Sequence, residues 1–172
     1  EYTEELEAFM KIPIYIDSPM AVSATRVYQN NPYCFDEESK RLILSGDDPF
    51  QFDNLFYVTS QEESMRLNKQ PFPKVIISSS GMCTAGRVRH HLKHNLWKKK
   101  NSVLFVGFQA EGTLGQQLKN GAKKVKLLGE EIVVEAEIYS IEGFSGHADQ
   151  KGLLDWLKEF KKFPHKVFIV HG

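Results

Sequence analysis

Val75-Ile76-Ile77-Ser78-Ser79-Ser80-Gly81-Met82-Cys83-Thr84-Ala85-Gly86 is the stretch that decides the fold. It begins apolar and β-branched, runs through small hydroxyl-bearing residues, and gives way after Gly86 to an amphipathic pattern. That order reads as a strand, a tight turn and a helix start, which is half of a βαβ unit. Similar short apolar runs lie at 12–16, 55–58 and 103–107, with helical patterns at 21–29, 37–44, 61–67 and 86–97 between them. Strands alternating with helices predict an α/β fold with a mostly parallel sheet flanked by helices. In such a sheet, ligands gather beyond the carboxyl ends of the strands.

The rhythm changes after Val106. Residues 125–128, a Gly129-Glu130-Glu131 turn and residues 132–138 read as a hairpin with an antiparallel return. Asp149 caps a predicted helix whose Leu153, Leu154, Trp156, Leu157 and Phe160 form one stripe, and Pro164 ends it. Val167-Phe168-Ile169-Val170 then reads as a strand that delivers His171, completing a C-terminal strand-helix-strand piece. The chain opens inside an acidic helical pattern at 2–10 without a cap and stops one residue past His171, so we expect an excerpt of a longer protein.

With 172 residues and 41% hydrophobic content, the chain can build one good core, or one domain plus part of another. No apolar run reaches membrane-spanning length and no basic-then-apolar leader opens the chain, so no membrane is expected as a partner. Cys34 and Cys83 lack CxxC spacing and read as free thiols, which places the protein in the cytoplasm; a disulfide between them is the weaker alternative. The net charge of zero conceals a segregation: residues 1–72 carry 13 acidic and 6 basic side chains, whereas residues 73–126 carry 11 basic ones against Glu111 alone. A field of that kind attracts polyanions, although the acidic segment could also balance it in three dimensions.

The serine turn has two readings. Its backbone N–H groups, the hydroxyls of Ser78, Ser79, Ser80 and Thr84, the glycines Gly81 and Gly86, and Arg87 suit a phosphodiester cradle. An ordinary capped helix start is the alternative. Gly81 to Gly86 has the GxxxxG spacing of a nucleotide loop, but Arg87-Val88 replaces the Lys-Ser/Thr pair, which argues against nucleotide hydrolysis. Arg87, Arg89, His90, His91, Lys93 and His94 continue as a basic, phosphate-facing helix surface; His90 and His94 have metal-ligand spacing but no HExxH glutamate.

The loop from Gly107 to Gly115 follows another strand, and its Gly112 and Thr113 suit either a polyanion contact or a structural turn. Asp17 ends the first strand, where it is open to capping, orienting a neighbour or catalysis. His147, bracketed by Gly146 and Ala148, and His171 stand one helix apart at strand exits, a placement that suits proton transfer and metal binding.

These residues together resemble the β-CASP branch of the metallo-β-lactamase superfamily, zinc-dependent nucleases that act mostly on RNA. The resemblance rests on Ile12-Pro13-Ile14-Tyr15-Ile16-Asp17-Ser18-Pro19-Met20-Ala21, on Ser79-Ser80-Gly81-Met82 with Gly86, and on the loop from Gly107 to Gly115. Phe144-Ser145-Gly146-His147-Ala148-Asp149 resembles the family's motif B and Val170-His171-Gly172 its motif C. The resemblance implies a Rossmann-like β-CASP domain over 1–141 and, over 142–172, the truncated return segment of the metallo-β-lactamase domain. It implies two zinc ions in the intact protein, His171 as a metal ligand, His147 as the catalytic proton donor to the leaving oxygen, and single-stranded RNA as substrate, cut as an exonuclease, an endonuclease or both.

The HxHxDH motif, further upstream ligands and the motif A acid are absent, so we expect the 172 residues alone to be inactive and to bind zinc weakly or not at all. The missing N-terminal metallo-β-lactamase domain is then an expected partner, and a homodimer is a further one. Two alternatives stay open: a non-catalytic RNA-binding relative, and a free-standing Rossmann-like domain for small molecules, which lacks GxGxxG.

Overall fold

The computed structural model describes residues 11–46, 48, 50–141, 148–162 and 164–168. A parallel sheet forms first, from β1 (Ile14–Asp17), β2 (Leu55–Tyr57) and β3 (Val75–Ser78), with β1 in the centre. Tyr15 lies opposite Phe56 and Ile76, and Asp17 opposite Ser78, so the carboxyl ends of β1 and β3 finish side by side. The helices start where local chemistry starts them. Ser18 caps α1 (Pro19–Asn30) by accepting from the Ala21 N–H, with Pro19 in the first turn, where no amide partner is needed. Asp36 caps α2 (Glu37–Leu44). Ser60 and Glu63 form a reciprocal capping box on α3 (Gln61–Leu67).

The second half adds α4 (Val88–Asn95), β4 (Ser102–Phe105), α5 (Leu114–Lys119), β5 (Lys124–Leu127), β6 (Glu130–Val133), β7 (Glu137–Ser140) and α6 (Gln150–Lys158). The expected α/β architecture is present, with parallel pairing of β1 with both neighbours and of β4 with β7. Residues 132–138, however, are not one strand. β6 returns antiparallel to β5, and the chain then breaks because the N–H groups of Glu135 and Ala136 both donate to the Leu96 carbonyl at 2.9 Å. That carbonyl, just past the end of α4, turns the backbone so that β7 can join β4 in parallel.

The apolar core lies in this half: Leu96, Leu118 and Leu127 are essentially inaccessible, packed with Cys83, Leu92, Phe105, Val125 and Ala136. Asp149 does cap α6, accepting from Gly152 N–H, but the stripe of Leu153, Leu154, Trp156 and Phe160 is exposed. Val167 and Phe168 lie in no strand, and residues 169–172 fall outside the described residues. No helix among the described residues is long and apolar enough to cross a membrane.

Candidate functional site

The neighbouring carboxyl ends of β1 and β3 bring Asp17 and Ser18 beside the serine turn. Ser78 Oγ donates to the Asp17 carbonyl at 2.9 Å, and the hydroxyls of Ser18 and Ser79 share a hydrogen bond at 2.8 Å. Ser80 Oγ accepts from the Ala85 N–H at 3.1 Å and lies 3.3 Å from Thr84 Oγ1 at the exposed rim. The Ser79 carbonyl accepts from the Val88 N–H, and a Cβ on Gly86 would collide with it; the φ of +78° at Gly86 is likewise suited to glycine. The first helical amides are therefore occupied within the chain, with Arg89 N–H on the Gly86 carbonyl and His90 and His91 N–H on that of Arg87. Among the described residues, the N–H groups of Gly81, Met82 and Thr84 have no acceptor in the chain, and Gly81 and Thr84 are exposed. They, with the exposed Gly86 N–H, which also lacks an acceptor among the described residues, and the Ser80 and Thr84 hydroxyls, can donate to an anion.

The glycine-rich loop braces this turn from the other side. Gln109, buried, donates through Nε2 to the carbonyls of Gly81 and Gly107, both at 3.1 Å, and the Gly115 N–H donates to the Met82 carbonyl. A Cβ at Gly115 would strike the Gln109 side-chain oxygen, so a larger residue there would displace Gln109 from its brace. Gly112, at φ +79°, is exposed and donates to Gln116. The Thr113 hydroxyl is committed to α5, accepting from Gln116 N–H and donating to the Ala110 carbonyl at 2.6 Å. The loop's described contacts are thus those of a structural brace.

Arg87 is turned inward. Its guanidinium meets Asp17 Oδ1 at 2.5 Å and the carbonyls of Val58 and Thr59 at 3.4 and 3.3 Å. Asp17 is fully buried, and its other oxygen receives Ser64 Oγ at 2.5 Å and His91 Nε2 at 2.6 Å. His91 Nδ1 sits 2.9 Å from the Asn68 side-chain oxygen, and Asn95 Nδ2 donates to that same oxygen. Burial alone would raise the Asp17 pKa, but hydrogen bonds from Ser64, Arg87 and His91 outweigh it and hold the carboxyl below its ordinary 3.8. For His91, burial depresses the pKa below 6.5, more than Asp17 raises it.

Helix α4 is therefore not a single basic face. His91 points into the protein, Arg87 is paired with Asp17, and Lys93 is paired with Glu130 at 2.6 Å, so three of the six residues expected to face phosphate have partners in the chain. His90 and His94 are exposed, and among the described residues no group of three or more His, Cys, Asp or Glu could hold a metal ion. The inward role of His91 was legible in Val88, His91, Leu92, Asn95 and Leu96, which share one helical face with apolar members. Ser64 and Asn68 carried no such signal. His147 and His171 lie outside the described residues. Cys34 and Cys83 are free, and burial pushes the Cys83 thiol up to about 11.

Comparison with known proteins gives this geometry a family. Residues 1–118 match the Beta-Casp domain, and residues 131–172 match the Zn-dependent metallo-hydrolase RNA specificity domain. Ribonuclease TTHA0252 of Thermus thermophilus is 41% identical over 162 residues, covering 94% of this chain and 37% of that protein. The transcription termination factor FttA of Methanocaldococcus jannaschii is 34% identical over 172 residues, covering 96% of the chain and 27% of that protein. FttA of Pyrococcus horikoshii is 33% identical over 169 residues, with 95% and 26% covered. The chain thus spans between about a quarter and somewhat over a third of the length of these relatives. With the match covering residues 1–118 of 172, the chain belongs to the Beta-Casp domain family.

Proposed function

We propose that this chain is the substrate-holding part of a zinc-dependent hydrolase that cleaves RNA phosphodiester bonds, as an exonuclease, an endonuclease or both. The observation that carries the reading is the presence, in one chain, of a Beta-Casp domain and a match to a Zn-dependent metallo-hydrolase RNA specificity domain. The relative named a ribonuclease supports the same chemistry. In this reading the N–H groups of Gly81, Met82 and Thr84 and the hydroxyls of Ser80 and Thr84 donate to backbone phosphates of single-stranded RNA. Contacts of that kind hold the strand without reading its bases.

Zinc would neutralise phosphate charge and activate water. The described residues do not by themselves fit such an ion. Their one close carboxylate–imidazole pair, Asp17 with His91, is closed off by Arg87 and Ser64. His171 as a ligand, His147 as the proton donor, a two-ion centre completed by a metallo-β-lactamase domain, and a division at residues 141/142 are parts of the proposal.

The test is cleavage of a labelled single-stranded RNA by the full-length protein in zinc-replete buffer, beside the 172-residue chain alone. Cleavage by the full-length protein, a loss of about 10²–10⁴-fold in His147→Ala, and no cleavage by the isolated chain are expected. A full-length protein that binds RNA and leaves it intact would instead support the non-catalytic RNA-binding alternative.

A further inference from the structure

Asp17 reaches three elements from the end of β1, and two of its ties run directly into the serine turn. At the turn's entry, the Asp17 carbonyl accepts from Ser78 Oγ, and Ser18, itself buried, shares a hydrogen bond with Ser79. At its exit, Arg87 follows Gly86 and carries its guanidinium back to the Asp17 carboxylate. The turn's middle is held separately by Gln109 on the Gly81 carbonyl and Gly115 on that of Met82. Both ends are thus fastened to residues 17–18, and the donors of Gly81, Met82 and Thr84 lie between the two fastenings.

We propose that Asp17 and Arg87 are positioning residues: they hold the serine turn in the shape that receives an RNA phosphate, and Arg87 commits its charge to Asp17 instead of to nucleic acid. The proposal rests on the reading of the turn as an RNA contact and adds which residues set its geometry. Arginine suits the task because one planar fork spans the carboxylate and the carbonyls of Val58 and Thr59 together. A lysine ammonium is a single point of charge on a flexible stem and cannot keep all three in register. Ser64 and His91, on the second carboxylate oxygen, fix Asp17 itself and leave Oδ1 facing Arg87.

The test measures binding of a fluorescent 2′-O-methyl oligouridylate, which resists cleavage, to the full-length protein across a salt series. Arg87→Gln, Arg87→Lys and Asp17→Asn are each expected to weaken binding about tenfold through lost turn geometry. The slope of log affinity against log salt should stay at the wild-type value in Arg87→Gln, since no phosphate contact carrying charge is removed. The double variant Asp17→Asn with Arg87→Gln should bind no worse than the weaker single variant. A slope shallower by about 0.7 in Arg87→Gln, together with wild-type affinity in Arg87→Lys, would put the guanidinium on a phosphate and overturn the proposal. Should Asp17→Asn fail to fold, Arg87→Lys decides: tenfold loss supports positioning and unchanged affinity overturns it. Wild-type protein that does not bind the oligonucleotide removes the RNA reading itself, and this inference with it. Wild-type binding with undiminished affinity in folded Asp17→Asn removes the positioning role alone.

Discussion

The region around Leu96 and the region around Asp17 are held together by opposite means. Around Leu96, eight buried apolar residues from α4, β4, α5, the β5–β6 hairpin and neighbouring loops pack against one another. Around Asp17, the buried residues are as polar as apolar: Asp17, Ser18, Ser64 and His91 accompany Val22, Val58 and Leu67. Apolar burial is strong but has no direction, whereas a carboxylate receiving three aimed donors fixes where each donor stands. The serine turn lies on the border between the two. Cys83 drops into the apolar core while Ser79 and Arg87 fasten to the polar cluster. The turn thus gains shape from the polar side and anchorage from the apolar side.

The comparison can be broken first at its polar pole. Asp17→Ala leaves the buried end of Arg87 without its counter-charge and His91 and Ser64 without their acceptor, and a loss of about 3–5 kcal/mol is expected in a urea titration. A loss below about 1 kcal/mol would mean that the cluster is not the tie described here. Leu96→Ala, in the apolar pole, should cost about 2–5 kcal/mol by opening a cavity at a fully buried site. That loss should be the same in acid and at neutral pH, because the titratable member of the apolar cluster, the Cys83 thiol, is pushed up to about 11.

The polar pole, by contrast, should respond to acid. Asp17 and His91 both have folded pKa values below their ordinary ones, so both favour the folded state when deprotonated. Stability is expected to be full above pH 6.5, to fall as pH drops below it and His91 is forced to charge, and to fall again as Asp17 protonates below 3.8. His91→Gln should remove the upper step and leave the lower one; an upper step that persists would assign it to another group. The smallest effect belongs to Ser60→Ala, which removes the capping box of the helix that carries Ser64. About 1 kcal/mol is expected, read as a shift in melting temperature.

The two regions also differed in how far the sequence disclosed them. The bounds of β3, α2 and α3 follow from an apolar run and from helical patterns, signals that act within a few residues; the Asp36 and Ser60 caps emerged only in the structure. The Asp149 cap was read the same way. The break between β6 and β7 was not, because the Leu96 carbonyl that causes it lies some forty residues away in the chain. Nor was the tie from Asp17 to His91, which spans 74 positions and leaves no periodic trace. His91 was grouped with the basic residues beside it, although its spacing from Val88 and Leu92 placed it on the buried face. Charge counted along a chain overstates the field at a surface: Arg87, Lys93 and Lys124 each spend theirs on a carboxylate within this protein.

The most direct test sets one pole against the other in a single assay: RNA affinity of the full-length protein in Asp17→Asn and in Leu96→Ala, each with its stability measured alongside. The account predicts about tenfold weaker binding in Asp17→Asn and unchanged binding in Leu96→Ala, even where the second variant is the less stable. Affinity that falls in step with stability in both variants, or that is unaffected in Asp17→Asn, would contradict it.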